Sequence, residues 1–252
     1  GPLTGYRLVV TRAVDQAAPL ADALIDQGAE VVLLPMVAIV DPTDGGAALA
    51  AAAARLGDYD RIVVTSPNGA RRLLDIAGNL PVADWPPVAA IGPATAGPLQ
   101  AAGAPVDLVP GEAVAESLLN ALPDPPDDGG RLLLVRAESA REVLPAGLVA
   151  AGWDLEVVAA YRNVEPAVEG PVLAEARTAE AVTFTAASAV RRYHDLAGGP
   201  RPIDALCIGP VSGGLARNLG FRVAEANPHS VSGLVEAACR WAQSRGGFRR
   251  LS

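Results

Sequence analysis

The sequence contains no lysine: its 20 basic residues are all arginine, set against 28 acidic residues for a formal charge of −8. Without lysine, Schiff-base catalysis, Walker-type phosphate binding and the phospho-receiver mechanism are excluded. An acidic chain with no basic run is a poor nucleic-acid binder. Cysteine is nearly as scarce. Cys207 stands in an apparent strand and Cys239 in an apparent helix, with no CxxC and no metal-ligand spacing, so free buried thiols are expected. The two histidines, His194 and His229, lack HExxH spacing, and His194 in RRYHDL reads as part of a solvated helix face. No G-x-G-x-x-G follows a strand, so no dinucleotide cofactor is expected. No apolar run reaches the roughly 18 residues of a membrane span, and no basic region followed by an apolar core opens the chain. A soluble, non-exported protein is expected. Gly1-Pro2, without an initiator Met, reads as the scar of a removed tag and is given no role.

Half of the residues are hydrophobic but only 4% are aromatic, so the cores must be built from Val, Leu, Ile and Ala, as in helix-flanked parallel sheets. The 252 residues suffice for two domains of about 100 to 150 residues each. The chain also repeats itself. RLVVTRA (7–13), followed by the helical LADALIDQGAE, returns as RLLLVRA (131–137), followed by LPAGLVAAGWD, so Arg12 corresponds to Arg136 and Gly28 to Gly152. VVTSPNGARR (63–72) returns as TFTAASAVRR (183–192), and VAAIGPATAGPLQAAG (88–103) as ALCIGPVSGGLARNLG (205–220). Each half reads as β-α-β and then β-α-β-α-β-α, which predicts parallel sheets with helices on both faces and flavodoxin-like lobes. Both Gly28 and Gly152 stand where a helix should end in a left-handed cap.

Two segments fall outside this rhythm: MVAIVDPTD (36–44) and AAYRNVEPAV (159–168). They read as extended linkers paired with each other in a two-stranded ladder. DPPDDGG (124–130) reads as a solvated loop.

The chemistry-bearing positions lie where strands give way to helices. Thr65-Ser66, Thr95, Thr185 with Ser188, and Ser212 are four hydroxyl-bearing junctions at the strand ends where open α/β sheets bind ligands. Thr95 and Ser212 are candidates to cap their helices, and the N–H groups there suit carboxylate or phosphate oxygens; simple capping is the competing reading. Arg12 and Arg136 directly follow the first strand of each half, with a surface ion pair as the alternative. Arg71, Arg72, Arg191 and Arg192 lie a full turn into their helices and are expected to be solvated. Tyr161 sits in a linker, where it is either functional or an apolar plug.

Taken in order, VVTRA, VVTSPNGA, the two IGP turns, VRAES, AYRNVEP and HSVSGLVEA resemble the uroporphyrinogen-III synthase family along most of the chain. The resemblance implies two flavodoxin-like lobes joined by a two-stranded β-ladder, with the active site in the cleft between them. Lobe one would comprise residues 1–37 and 167–252, lobe two residues 45–158, and the ladder residues 38–44 and 159–166. It implies a cytoplasmic, monomeric lyase that cyclises hydroxymethylbilane with loss of water and inversion of ring D, with no cofactor or metal. Hydroxymethylbilane synthase would hand the substrate over transiently, and no nucleic acid or membrane would be involved. Tyr161 would assist departure of the hydroxyl. Arg12, Thr65, Ser66, Asn68, Thr95, Arg136, Thr185, Ser188 and Ser212 would bind the eight substrate carboxylates, local donors overriding the acidic overall field. The alternative is a non-catalytic two-lobed sensor of a tetrapyrrole or another anion. Some related domains are fused to regulators; from the GGFRRLS ending no fused DNA-binding domain is expected here.

Overall fold

A computed structural model describes residues 1–78, 81–127 and 129–249; Asp128 of the 124–130 loop and residues 250–252 of the GGFRRLS ending lie outside the described residues. The chain opens with β1 (Arg7–Val10), α1 (Val14–Asp26), β2 (Glu30–Leu33), β3 (Ala38–Val40) and α2 (Ala47–Ala53). Then come β4 (Arg61–Val64), α3 (Pro67–Ile76), β5 (Val88–Ala90), α4 (Pro93–Ala101), β6 (Val106–Leu108) and α5 (Ala115–Ala121). The second half begins with β7 (Arg131–Ala137), α6 (Val143–Ala150), β8 (Asp154–Val164) and α7 (Gly170–Thr178). It ends with β9 (Ala181–Phe184), α8 (Ala187–Ala197), β10 (Asp204–Cys207), α9 (Pro210–Asn218), β11 (Arg222–Glu225) and α10 (Val231–Arg249). The expected rhythm lacked α2 and α7. The alanine-rich run AALAAAA of α2 is a strong helix former that carries little periodic signal. Among the described residues no helix is long and apolar enough to cross a membrane.

Two compact units result, Gly1–Ala38 with Val164–Ser252, and Ile39–Asn163. The sheet of the first runs β2-β1-β9-β10-β11, and every neighbouring pair is parallel. The sheet of the second runs β3-β8-β7-β4-β5-β6, parallel from β8 to β6. The β2-β1-β9-β10-β11 and β8-β7-β4-β5-β6 series are both the flavodoxin-like order 2-1-3-4-5. Each unit therefore takes its β-α-β opening from one half of the sequence repeat and its remaining three strands from the other. Segments 36–44 and 159–168, which broke the repeat, supply β3 and the end of β8, neighbours in the six-stranded sheet.

Burial on both faces explains the uninterrupted apolar strands. In the second unit Ile62 and Val64 point into one apolar cluster while Val63 points into another with Leu132 and Leu134. In the first unit Leu8 and Val10 face α1 and α10 residues, whereas Val9 meets Val182 and Phe184. Each fully buried Val or Leu contributes about 1.5–3 kcal/mol, so the central strands are the firmest part of each unit. Three of the scarce aromatics meet in this core: Phe184 contacts Tyr193 and Phe221 edge-on, both at 5.6 Å between ring centroids. Gly28 and Gly152, at φ +95° and +96°, end α1 and α6 in the left-handed region that the repeat predicted.

The repeated arginine pairs depart from expectation. Arg71 and Arg191 are exposed, but Arg72 pairs with Asp41, and the side chain of Arg192 is only 12% exposed. Arg192 donates to the carbonyl oxygens of Met36 and Pro166 and lies 3.5 Å from Glu165. Successive helical residues point about 100° apart, so one arginine of each pair meets water while the next turns to the flank. There it holds the segments next to which the chain passes between units. Charge-assisted bonds to buried carbonyls contribute about 1.5–3 kcal/mol each in mutational series. Arg192→Ala should therefore lower unfolding free energy in denaturant titration by about 2–3 kcal/mol, against less than about 0.5 kcal/mol for Arg191→Ala.

Candidate active site

In a 2-1-3-4-5 sheet, ligands bind beyond the carboxyl ends of the strands where the order reverses. In the second unit that point lies between β7 and β4. Strand β4 gives way to Thr65 and Ser66, and Ser66 is the N-cap of α3, its hydroxyl accepting from the Gly69 N–H at 3.0 Å with Pro67 in the first turn. Thr65 Oγ1 donates to the Val135 carbonyl at 3.3 Å. On the other side, β7 and β8 pair residue for residue until Arg136↔Ala159 and Ala137↔Tyr161, so Ala160 is an extra residue. This bulge twists β8, and the consecutive residues Ala160 and Tyr161 are both buried. Tyr161, expected in a linker, is thus a strand residue. Its ring belongs to the same cluster as Val64, Val135 and Ala137, and its hydroxyl has no hydrogen-bond partner among the described residues.

Thr65, Ser66, Arg136 and Tyr161 line one cavity of about 300 Å³, together with Ser139, Arg141 and Asn163. Arg136 is only 7% exposed. Its guanidinium donates to the carbonyls of Ala140 at 2.9 Å and Ala137 at 3.3 Å and to Glu142 Oε1 at 2.8 Å. Arg141 is exposed and has no ion pair among the described residues.

In the first unit Thr185 and Ser212 line a cavity of about 340 Å³ with Val211, Gly209 and His229. The capping expected of Thr95 and Ser212 is not found. Proline opens α4 and α9, which makes Gly92 and Gly209 the N-caps and places Thr95 and Ser212 in the first turn. The Ser212 hydroxyl instead donates to the Gly209 carbonyl at 3.1 Å, and Thr95 is buried. Ser188 is exposed on α8, whose N-cap is Ala186 without a side-chain bond. Gly92 cannot carry a side chain, because a Cβ there would lie 2.7 Å from that of Ala113. Arg12 follows β1 half-buried, 3.4 Å from Gln16 Oε1; burial lowers its pKa and nearby Asp15 partly offsets this. Asn68 accepts from Arg71 at 2.9 Å. Arg12, Asn68, Thr95 and Ser188 line neither cavity. Among the described residues no group of three or more His, Cys, Asp or Glu is placed to hold a metal ion.

The model of the family described as "Uroporphyrinogen-III synthase HemD" matches residues 18–236. The uroporphyrinogen-III synthase of Synechococcus elongatus is 30% identical over 96% of this chain and 97% of its own. The chain belongs to the uroporphyrinogen-III synthase family. Its fold is shared with a mutant uroporphyrinogen III synthase from the extremely thermophilic bacterium Thermus thermophilus, 22% identical over 96% of this chain and 100% of that one, with a TM-score of 0.61. The uroporphyrinogen-III synthetase of Helicobacter pylori 26695 aligns over 94% of this chain and 99% of its own at 17% identity, with a TM-score of 0.63. Members of this synthase family are cyclising lyases.

Four polar lining residues of this family member, Ser139, Arg141, Asn163 and His229, are absent from the site expected from the sequence. Asn163 was within reach of sequence reasoning: in a strand, residues two apart share a face, and Asn163 follows Tyr161 by two. Ser139, Arg141 and His229 lie in VRAESAR and HSVSG, loops without a period to read.

The thiol near Ser212 is not a nucleophile of the site. Cys207 is fully buried, and burial, followed by the charge of Glu225, pushes its pKa up to about 12. The folded protein thus favours the neutral thiol, whose unfolded pKa is about 8.5. That stabilisation is complete below about pH 8.5. It is lost as pH rises towards 12. Denaturant titrations across this window should show stability falling with pH, and Cys207→Ala should flatten the fall. At pH 8, alkylation of Cys207 should proceed only through opened molecules, at a rate no faster than unfolding.

Proposed function

We infer that this chain catalyses the uroporphyrinogen-III synthase reaction. Hydroxymethylbilane loses its terminal hydroxyl as water, leaving an azafulvene whose electron-poor carbon attacks the already substituted position of the last pyrrole. The spiro intermediate then fragments and recombines with ring D inverted, giving uroporphyrinogen III. Family membership supports the overall reaction, and the observation that carries a mechanism on this chain is the Tyr161 phenol, whose hydroxyl is without a hydrogen-bond partner among the described residues, in a cavity at the switch point. A free O–H donor there strengthens its bond to the departing oxygen as negative charge develops, which lowers the barrier rather than merely tightening substrate binding. The bilane closes without inversion when left alone, so much of the catalytic work is holding a conformation.

Ser66 beside the phenol, whose hydroxyl accepts from Gly69 and keeps its O–H to donate, and Thr185 in the first unit are the best supported of the proposed carboxylate ligands. Thr65 and Ser212 line the same cavities, but their hydroxyls donate to the Val135 and Gly209 carbonyls, bonds that a carboxylate would have to displace. Arg12, Asn68, Thr95 and Ser188 have only their place near strand ends in their favour. The intrinsic instability of the bilane favours a transient hand-over from hydroxymethylbilane synthase to a cytoplasmic monomer.

Tyr161→Phe keeps the ring and removes the donor. Turnover of freshly prepared bilane should fall by roughly ten- to a thousandfold, with stability changed by less than about 1 kcal/mol. Bilane left unused should close spontaneously, so chromatography should show product moving from the type III to the type I isomer. Full turnover with an unchanged isomer ratio would reduce the phenol to packing. Exhaustive chelation and dialysis of the wild type should leave turnover intact; loss restored by zinc or magnesium would contradict a mechanism made from side chains alone.

A further inference from the structure

Arg136 and Arg141 line the same cavity in opposite electrostatic states. The charge of Arg136 is met by Glu142, and two carbonyls take further N–H groups of a side chain that is 8% exposed. A substrate carboxylate would have to displace these partners. Arg141 has no ion pair among the described residues for a substrate to displace. It projects from the short segment 138–142, which joins β7 to α6 and is fastened on both sides. At its start, the Glu138 carboxylate accepts from Thr43 N at 2.7 Å and Thr43 Oγ1 at 3.0 Å, and the Glu138 N–H donates to the Tyr161 carbonyl at 2.8 Å. At its end, Arg136 holds Ala140 and Glu142. Ser139 and Arg141 lie between the fastenings, and one fastening is the backbone of Tyr161 itself.

We propose that Arg136 is a positioning residue for segment 138–142, and that Arg141, held by this segment, is the cation that meets a substrate carboxylate beside Tyr161. The proposal rests on the synthase reading above. Its geometry makes a prediction of sign. If Arg136 acts through the segment, removing the charge of its partner with Glu142→Gln loosens the segment and weakens substrate binding. If Arg136 binds substrate directly, the same change frees a cation and strengthens binding.

Hydrogen exchange in the free protein and steady-state kinetics on hydroxymethylbilane separate the two. Arg136→Gln and Glu142→Gln should each speed exchange of the Glu138 and Ala146 amides, which donate to the Tyr161 and Glu142 carbonyls at the two ends of the segment, by about tenfold, a readout that needs no turnover. Each should raise KM by roughly three- to tenfold with a smaller change in kcat. Arg136→Gln added to Arg141→Gln should raise KM little further, since both act through one contact. A lowered KM in Glu142→Gln, additive losses at Arg136 and Arg141, or unchanged exchange would overturn the proposal. Should Arg136→Gln fail to fold, Glu142→Gln still decides, because that carboxylate is 77% exposed. Absence of turnover in the wild type would instead sink the synthase reading, while exchange would still judge the anchoring.

Discussion

Strand β7 lies between β8 and β4, paired in parallel with both. Parallel pairing brings the carboxyl ends of all three strands to one edge, so Thr65, Arg136 and Tyr161 meet although the sequence scatters them. No short loop could achieve this, because parallel neighbours need a crossover of a dozen or more residues. The entropy of closing such loops is offset by strands buried on both faces. Without the apolar contacts of Ile62, Val64, Leu133 and Val135 in one cluster, the edge that carries the chemistry would have no fixed geometry. The bulge at Ala160 then adds a single local change to this regular frame, turning the end of β8 so that a bulky phenol joins the cluster beside its small neighbour.

The two units share a repeated sequence pattern and one strand order, but their switch points differ. In the first unit Thr11 Oγ1 donates to the Thr183 carbonyl at 2.7 Å and Thr183 Oγ1 to that of Val9 at 2.9 Å, stitching β1 to β9 with hydroxyls. The corresponding positions in the second unit are Val135 and Val63, which pack instead of bonding. Conversely, Ser66 caps α3 while its counterpart Ala186 leaves α8 without a side-chain cap. One copy thus uses its hydroxyls to lock the sheet, and the other keeps polar groups at the edge of an apolar frame.

Periodicity exposed the strands because burial on both faces demands continuous apolar runs, and it exposed the paired glycines because α1 and α6 end in φ values that only glycine adopts without strain. The repeat located the strand-to-helix junctions. It misled at the helix caps. In IGPAT and IGPVS the proline takes the first helical position, so the glycine before it must be the cap and the hydroxyl two residues later cannot be; that information was present in the dipeptide. Two features were beyond sequence reasoning for a physical reason. The anchors of Arg192 are remote backbone carbonyls, which every residue type supplies, and the bulge at Ala160 leaves no compositional mark. Interleaving of the halves came from family resemblance, since periodicity is blind to which parallel strand a given strand chooses.

Overall acidity is a poor guide to how this protein meets an acidic substrate, because many of its arginines are already engaged. Arg61 forks onto Asp107 with two bonds of 2.8 Å, and Arg222 and Arg245 share the buried Asp204. Arg72 is committed to Asp41, Arg136 to Glu142 and Arg192 to backbone carbonyls. A guanidinium suits these posts because it presents several N–H groups in a fixed plane, and a chain without lysine has used that property as structural mortar. Paired charges cancel at short range, so the field at a site depends on the cations that remain unpaired close to it, where displaced water no longer screens them. Among the described residues lining the Tyr161 cavity, the cation without an ion pair is Arg141, and its effect rests less on its own burial than on the segment that keeps it there.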